Sequence, residues 1–81
     1  MIYVGVREYK LGRMIMSHMV ADTLEELHEM ARSICIKRVH FQDKPNKPHY
    51  DICKYKKQEA IRRGAILVDD RKIIEVLKKY K

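Results

Sequence analysis

Residues 14–34 read MIMSHMVADTLEELHEMARSI, and a change of period inside that stretch decides the fold. From Met14 to Ala21 the residues suit an extended chain. Met14, Met16, His18 and Val20 share one face, with Ile15, Ser17 and Met19 on the other. After Thr23 the apolar residues recur at helical spacing, so Leu24, Leu27, Met30, Ala31 and Ile34 form one buried stripe with His28 at its edge. Thr23 and Glu26 make a capping box, and Asp22, Glu25 and Glu26 complement the positive end of the helix. A strand running straight into a capped helix is the building unit of an α/β layer.

Working outward, Ile2–Val6 reads as a first strand and Glu8–Arg13, with Gly12, as a loop. Ile36–Gln42 alternates and reads as a strand, Asp43–Pro48 as a loop, and His49–Ile52 as a short extended segment. Lys54–Arg63 reads as a helix closed by Gly64 in a left-handed cap. Ala65–Val68 is a buried strand, and Asp69–Tyr80 an amphipathic helix with Ile73, Val76, Leu77 and Tyr80 on its apolar side. The order β-β-α-β-α-β-α predicts a small single-layer, mostly parallel sheet with three helices, in a single α/β domain spanning residues 1–81.

At 81 residues, 46% hydrophobic and 36% charged, the chain can fold, and no apolar run approaches the roughly 20 residues of a membrane span. Met1–Val6 is too short for a signal-peptide core, so the expected location is cytoplasmic, with no membrane partner. Cys35 and Cys53 are expected to be free, buried thiols. A domain of this size buries only about 60–65% of its unfolded surface, which makes a homodimer the expected source of extra burial.

The net charge of +7 is unevenly distributed. Residues 1–36 carry four basic against five acidic side chains, and residues 37–81 carry fourteen against six. That asymmetry points to a phosphate-bearing small molecule or nucleic acid as partner, or else to basic side chains that only solvate a helix.

The most pointed polar group is Pro48-His49-Tyr50-Asp51. In an extended segment His49 and Asp51 face the same way, and a carboxylate beside an imidazole orients it for acid–base work. The structural alternatives are that Asp51 caps the next helix and that Tyr50 is a core residue. His18 and Asp22 form a second pair, with Asp22 read chiefly as a cap. Lys57 falls within the apolar stripe of its helix, either snorkelling to water or meeting an anion beside Lys56. A metal centre can be drawn from His18, His40, His49 and Asp51, but no spacing matches a metal signature, so no metal or cofactor is assigned.

The runs His18-Met19-Val20-Ala21-Asp22, Glu26-Leu27-His28, Phe41-Gln42-Asp43-Lys44 and Pro48-His49-Tyr50-Asp51, with Ala60 and Gly64-Ala65, carry a resemblance. Over about residues 1–68 the chain resembles a small domain family of unknown function found in bacteria and their phages. The resemblance implies that His18, His28, His49 and Asp51 belong to a recurring pattern, with Lys56 at a basic position. Members often carry an acidic residue in place of Gly5, and Thr or Ser in place of Cys53 and Tyr55. It implies no activity.

The expected function is binding of a phosphate-bearing ligand, with a nucleotide favoured over nucleic acid because few aromatics interleave the basic residues. His18, His49 and Asp51 are the candidate catalytic group. His40, Lys56, Lys57, Arg13, Arg38 and Tyr50 are the candidate ligand contacts. The alternative is a hydrolase or phosphodiesterase using His49 and His18 as acid and base, its site shared across a dimer.

Overall fold

The longest strand of the molecule, Met14–Ala21, has partners along both of its edges and organises the rest. The computed structural model describes residues 1–44 and 47–80. In chain order the elements are β1 (Ile2–Gly5), β2 (Tyr9–Leu11), β3 (Met14–Ala21), α1 (Leu24–Ser33), a 3₁₀ turn (Arg38–His40), β4 (Phe41–Lys44), β5 (Lys47–Cys53), α2 (Lys54–Arg62), β6 (Ile66–Val68), α3 (Asp70–Leu77) and a closing 3₁₀ turn (Lys78–Tyr80).

The six strands form one sheet in the order β4-β5-β3-β1-β6, with β2 paired to β3 beside β1. Among the described residues only β1 and β6 run parallel, and the other pairings are antiparallel. The expectation of a mostly parallel sheet is therefore corrected, and the cause is specific. α1 does cross from β3 to a strand of the same direction, β4, but β5 turns back and inserts between them. α2 likewise carries the chain from β5 over β3 and β1 to β6. Hairpin strands need only a tight turn to pair, so they occupy the places a parallel neighbour would have taken.

The single-layer arrangement is also corrected, because helices cover both faces. On one face Leu27, Ala31 and Ile34 of the α1 region and Ala60 of α2 pack on Val4, Met19, Ala21, Tyr50 and Ile52. On the other, Ile73 and Val76 of α3 pack on Tyr3 and Val20. The period-2 alternation of the strands sends successive side chains to these two cores.

Four segments depart from the sequence expectation. Ala65–Val68 is not a buried strand: Ala65 is buried, but β6 lies at the sheet edge with Ile66 and Leu67 exposed. Ile36–Gln42 is not one strand: Arg38–His40 forms a 3₁₀ turn, and pairing begins at Phe41, opposite Tyr50. Its alternation was between charged and partly apolar residues with no buried face, so nothing held it extended. Glu8–Arg13 contains β2, which pairs with β3 through the Gly12-Arg13 turn; Gly12 sits at φ +64°, as the first position of such a turn requires. The Asp43–Pro48 loop is largely hairpin strand, although residues 45–46 lie outside the described residues. Cys35 is exposed and Cys53 half-buried, and both are free, which corrects the expectation of two buried thiols.

β1 and β2 form one interrupted strand against β3. Val4 faces Met19 and Tyr9 faces Met16, so five steps along one side match three along the other. The two surplus residues are accommodated between Gly5 and Tyr9, where Val6 and Arg7 are exposed. Such bulges re-aim side chains locally, here beside His18.

Both longer helices end in the same motif. After α1, the Cys35 N–H donates to the Arg32 carbonyl (3.0 Å) and the Ile36 N–H to the Ala31 carbonyl (2.8 Å). After α2, Gly64 donates to Ile61 (3.0 Å) and Ala65 to Ala60 (2.9 Å). This is the Schellman arrangement, which puts the residue after the cap in the left-handed region. Gly64 takes φ +108° as the sequence predicts, whereas Cys35 takes φ +63° with a side chain attached. A side chain there costs about 1 kcal/mol or more. We therefore expect Cys35→Gly to raise stability by about 0.5–1 kcal/mol and Gly64→Ala to lower it by about 1 kcal/mol in urea unfolding. A destabilised Cys35→Gly variant would show that Cys35 contributes contacts that outweigh its strain.

Candidate functional site

Strand alternation sorts the polar residues. On β5, Pro48, Tyr50 and Ile52 are buried under α1 and α2, which sends His49 and Asp51 to the opposite face. On β3, Ser17 and Met19 share the helix-covered side with them, and His18 takes the other. The register places His18 directly opposite Asp51. The three side chains therefore meet on the α3 side of the sheet.

There they line a cleft of about 540 Å³, with Val20 beside them and Ile73 and Leu77 of α3 as an apolar wall. Asp51 is the centre of the group. Its Oδ1 lies 2.9 Å from His18 Nδ1 and 3.4 Å from His49 Nε2. His49 Nδ1 is 2.7 Å from the Lys47 carbonyl, an obligate acceptor, so this nitrogen carries the proton. The His18 and His49 rings meet edge to face at 5.1 Å, and Tyr9 packs on the far side of His18 at 5.2 Å. Burial, and then the Asp51 carboxylate, push the Tyr9 hydroxyl well above its ordinary pKa, keeping it a neutral donor. Arg7 from the bulge and Lys47 from the start of β5 complete the lining.

The remaining sequence candidates lie elsewhere. Lys57 is on the opposite face of the sheet, buried, its ammonium donating to Ser17 Oγ at 3.2 Å and Glu8 Oε2 at 3.3 Å. Lys56 donates to the Ile34 carbonyl at 2.6 Å and so ties α2 to the end of α1. Arg13 is exposed in the β2–β3 turn and His40 in the 3₁₀ turn, and neither lines the cleft. Asp22 accepts from Tyr3 and Lys79 rather than meeting His18. Asp51 does not cap α2, whose first turn follows Cys53 without a side-chain cap.

Tyr50 is fully buried, as the core alternative held. Its hydroxyl lies 2.9 Å from His28 Nδ1, and both line a second, larger groove of about 970 Å³ together with Arg38. That groove is bigger but chemically quieter. His28 and Tyr50 satisfy each other, and Phe41 packs against the His28 ring at 4.5 Å. The smaller cleft is the candidate site because its polar groups converge on one point.

Arg7, Tyr9 and Lys47 are the cleft residues that sequence reasoning missed. The alternation Tyr9-Lys10-Leu11 running into a Gly-containing turn was the available signal for β2; nothing in the spacing marked Arg7 or Lys47.

Among the described residues no helix is long and apolar enough to cross a membrane. Compared with known proteins, the chain matches a family model described as "Protein of unknown function (DUF4031)" over residues 2–80. No curated protein and no solved structure matches.

The larger groove generates a pH prediction. Burial, and secondly the Arg38 charge, lower the pKa of His28 from its ordinary 6.5. The unfolded chain therefore binds this proton more readily than the folded one. The stabilisation is complete above pH 6.5 and is lost as pH falls through the depressed folded value. Melting temperature should drop between pH 7.5 and 5.5, and His28→Gln should flatten that drop. An unchanged pH profile in the variant would remove His28 as the responsible group.

Proposed function

The chain belongs to the DUF4031 family across residues 2–80, and from the geometry of the cleft we propose that it binds a phosphate-bearing ligand between His18, His49 and Asp51. The observation that carries the reading is the placement of Arg7 and Lys47 in the same cleft as the two imidazoles. Guanidinium, ammonium and imidazole groups around one concavity match the oxygens of a phosphate ester. A volume of about 540 Å³ is that of a small-molecule pocket, which favours a nucleotide or similar ester over a nucleic-acid strand. Lys56 and Lys57 lie outside the cleft and are tied into the fold, whereas Arg7, which pairs with Asp70 at 3.3 Å on the exposed surface, and Lys47 line the cleft and take the cationic role.

A second reading has its own support. The 2.9 Å contact between His18 Nδ1 and Asp51 is the geometry by which a carboxylate orients an imidazole for proton transfer. Under this reading the chain is a hydrolase acting on a phosphate ester. The three groups come from one chain.

Calorimetric titration with inorganic phosphate and with a set of nucleoside mono- and triphosphates tests the proposal. Arg7→Ala and Lys47→Ala should each weaken binding about tenfold, since hydrogen bonds to charged groups contribute about 1.5–3 kcal/mol. Both residues are exposed and should leave the melting temperature within about 2 °C. Affinity for a pocketed ligand should fall only modestly with salt, whereas a steep dependence belongs to nucleic acid. Binding that ignores both substitutions would overturn the reading, and release of phosphate from an ester would select the second.

A further inference from the structure

The phosphate reading leaves one charge unanswered. The Asp51 carboxylate sits at the centre of the cleft, where it would repel an anion. We propose that His18 Nδ1, His49 Nε2 and Asp51 Oδ1 together hold a divalent first-row transition-metal ion of the Zn²⁺ type. The inference extends the phosphate reading by supplying a positive centre, but it rests on donor geometry of its own.

The first argument is spacing. A metal with N and O ligands at about 2.0–2.2 Å, at tetrahedral to octahedral angles, holds adjacent donors about 3.0–3.5 Å apart. Asp51 Oδ1 stands 2.9 Å from His18 Nδ1 and 3.4 Å from His49 Nε2, and one ligand atom from each of the three residues lies within 4.8 Å of the others. The donors thus surround a point that an ion can occupy with small side-chain adjustments.

The second argument concerns protons. The Lys47 carbonyl fixes the hydrogen of His49 on Nδ1. In the neutral ring Nε2 is then a lone pair, and it faces a carboxylate oxygen, another acceptor, at 3.4 Å. That lone pair and the carboxylate oxygen are a matched pair of donors for one bound cation. The same Nδ1–H to carbonyl contact is the outer-sphere support that orients a metal-bound histidine.

Third, the scaffold is rigid where a metal site needs it. The ligands come from adjacent strands, β3 and β5, with His18 and Asp51 in register. The His49 and Asp51 side chains are 13% and 22% exposed and that of His18 is 41% exposed, so the cluster is partly sunk into the sheet with one side open to solvent. Two imidazoles and one carboxylate favour Zn²⁺, Fe²⁺ or Co²⁺ over the all-oxygen sites of Ca²⁺ and Mg²⁺. Three protein ligands leave positions for water or a ligand oxygen, the pattern of a reactive rather than a structural centre. With neutral imidazoles the cluster alone carries −1, and with the ion +1, the sign an incoming phosphate needs.

Chelator-treated protein titrated with Zn²⁺ alone, and separately with Co²⁺ followed by its visible absorption, tests this directly. We expect one equivalent per chain, with the Co²⁺ spectrum of mixed N/O coordination. His49→Ala and Asp51→Ala should each weaken Zn²⁺ binding about 100-fold or more, and His18→Gln should do the same with a smaller steric change. His40→Ala, outside the cleft, should bind as the parent does. Circular dichroism of each variant separates lost ligation from lost folding, and the Co²⁺ spectrum of the unmodified protein needs no variant. Absence of stoichiometric binding, or binding insensitive to His18, His49 and Asp51, would overturn the site. Arg7→Ala separates the two proposals: it should keep Zn²⁺ affinity unchanged and weaken phosphate binding about tenfold. If Zn²⁺ binds and no phosphate compound does, the metal site stands and the phosphate reading falls. If phosphate compounds bind the chelated protein and Zn²⁺ does not, the metal site falls and the phosphate reading stands.

Discussion

Four successive cross-strand pairs, Met16 with Cys53, Ser17 with Ile52, His18 with Asp51 and Met19 with Tyr50, join the first half of the chain to the second. β3 already holds β1 and β2 along its other edge, so this ladder fixes the position of every remaining strand except β6, which docks on β1. Hydrogen bonding sets the register, and the register sets which side chains share a face. Met19, Tyr50 and Ile52 become the floor for α1 and α2, while His18 and Asp51 become the centre of the cleft. One set of backbone bonds therefore builds the larger core and the candidate site together.

The two faces serve different ends. Under α1 and α2 the sheet carries the larger core, and its buried polar residues are answered: Ser17 accepts from Lys57, and Lys57 in turn reaches Glu8. On the other face α3 is short and packs on Tyr3, Val20 and Val68, and the cleft opens beside it. The interruption between β1 and β2 falls beside that opening and brings Arg7 into the cleft lining. Asymmetric covering lets a chain of 81 residues keep a buried core and still present a concave polar surface.

Local signals were the legible part of the sequence. The Thr23–Glu26 cap forms, with the Glu26 N–H donating to Thr23 Oγ at 3.2 Å, and Leu27, Ala31 and Ile34 are buried as their spacing required. Gly64 closes α2 in the left-handed conformation. Partner choice was not legible, because a strand's period records that it has two faces and says nothing of which strand lies beside it. Hence β5 could not be seen inserting between β3 and β4. The site shows the same division. His49 and Asp51 were readable as a pair because i and i+2 share a face within one strand, but bringing His18 to them depends on the β3–β5 register. Lys56 and Lys57 were grouped with them through proximity in sequence, yet α2 lies on the far side of the sheet.

Ser17 and His18 are neighbours on β3 that point to opposite sides, and this adjacency bears on how the chain finds its native state. Sliding β3 by one residue along β5 would exchange them. The imidazole would enter the closed core in place of Met19, and residues that now fill that core would be turned out to water. Such a misalignment leaves polar groups without partners in an apolar setting, which is heavily penalised. The cleft residues thus act as an error check on assembly: a chain that has settled into its cooperative core has also set its polar cluster in order. Correctness of the site is enforced by the same selection that rejects misfolded sheets, without any separate device to guarantee it.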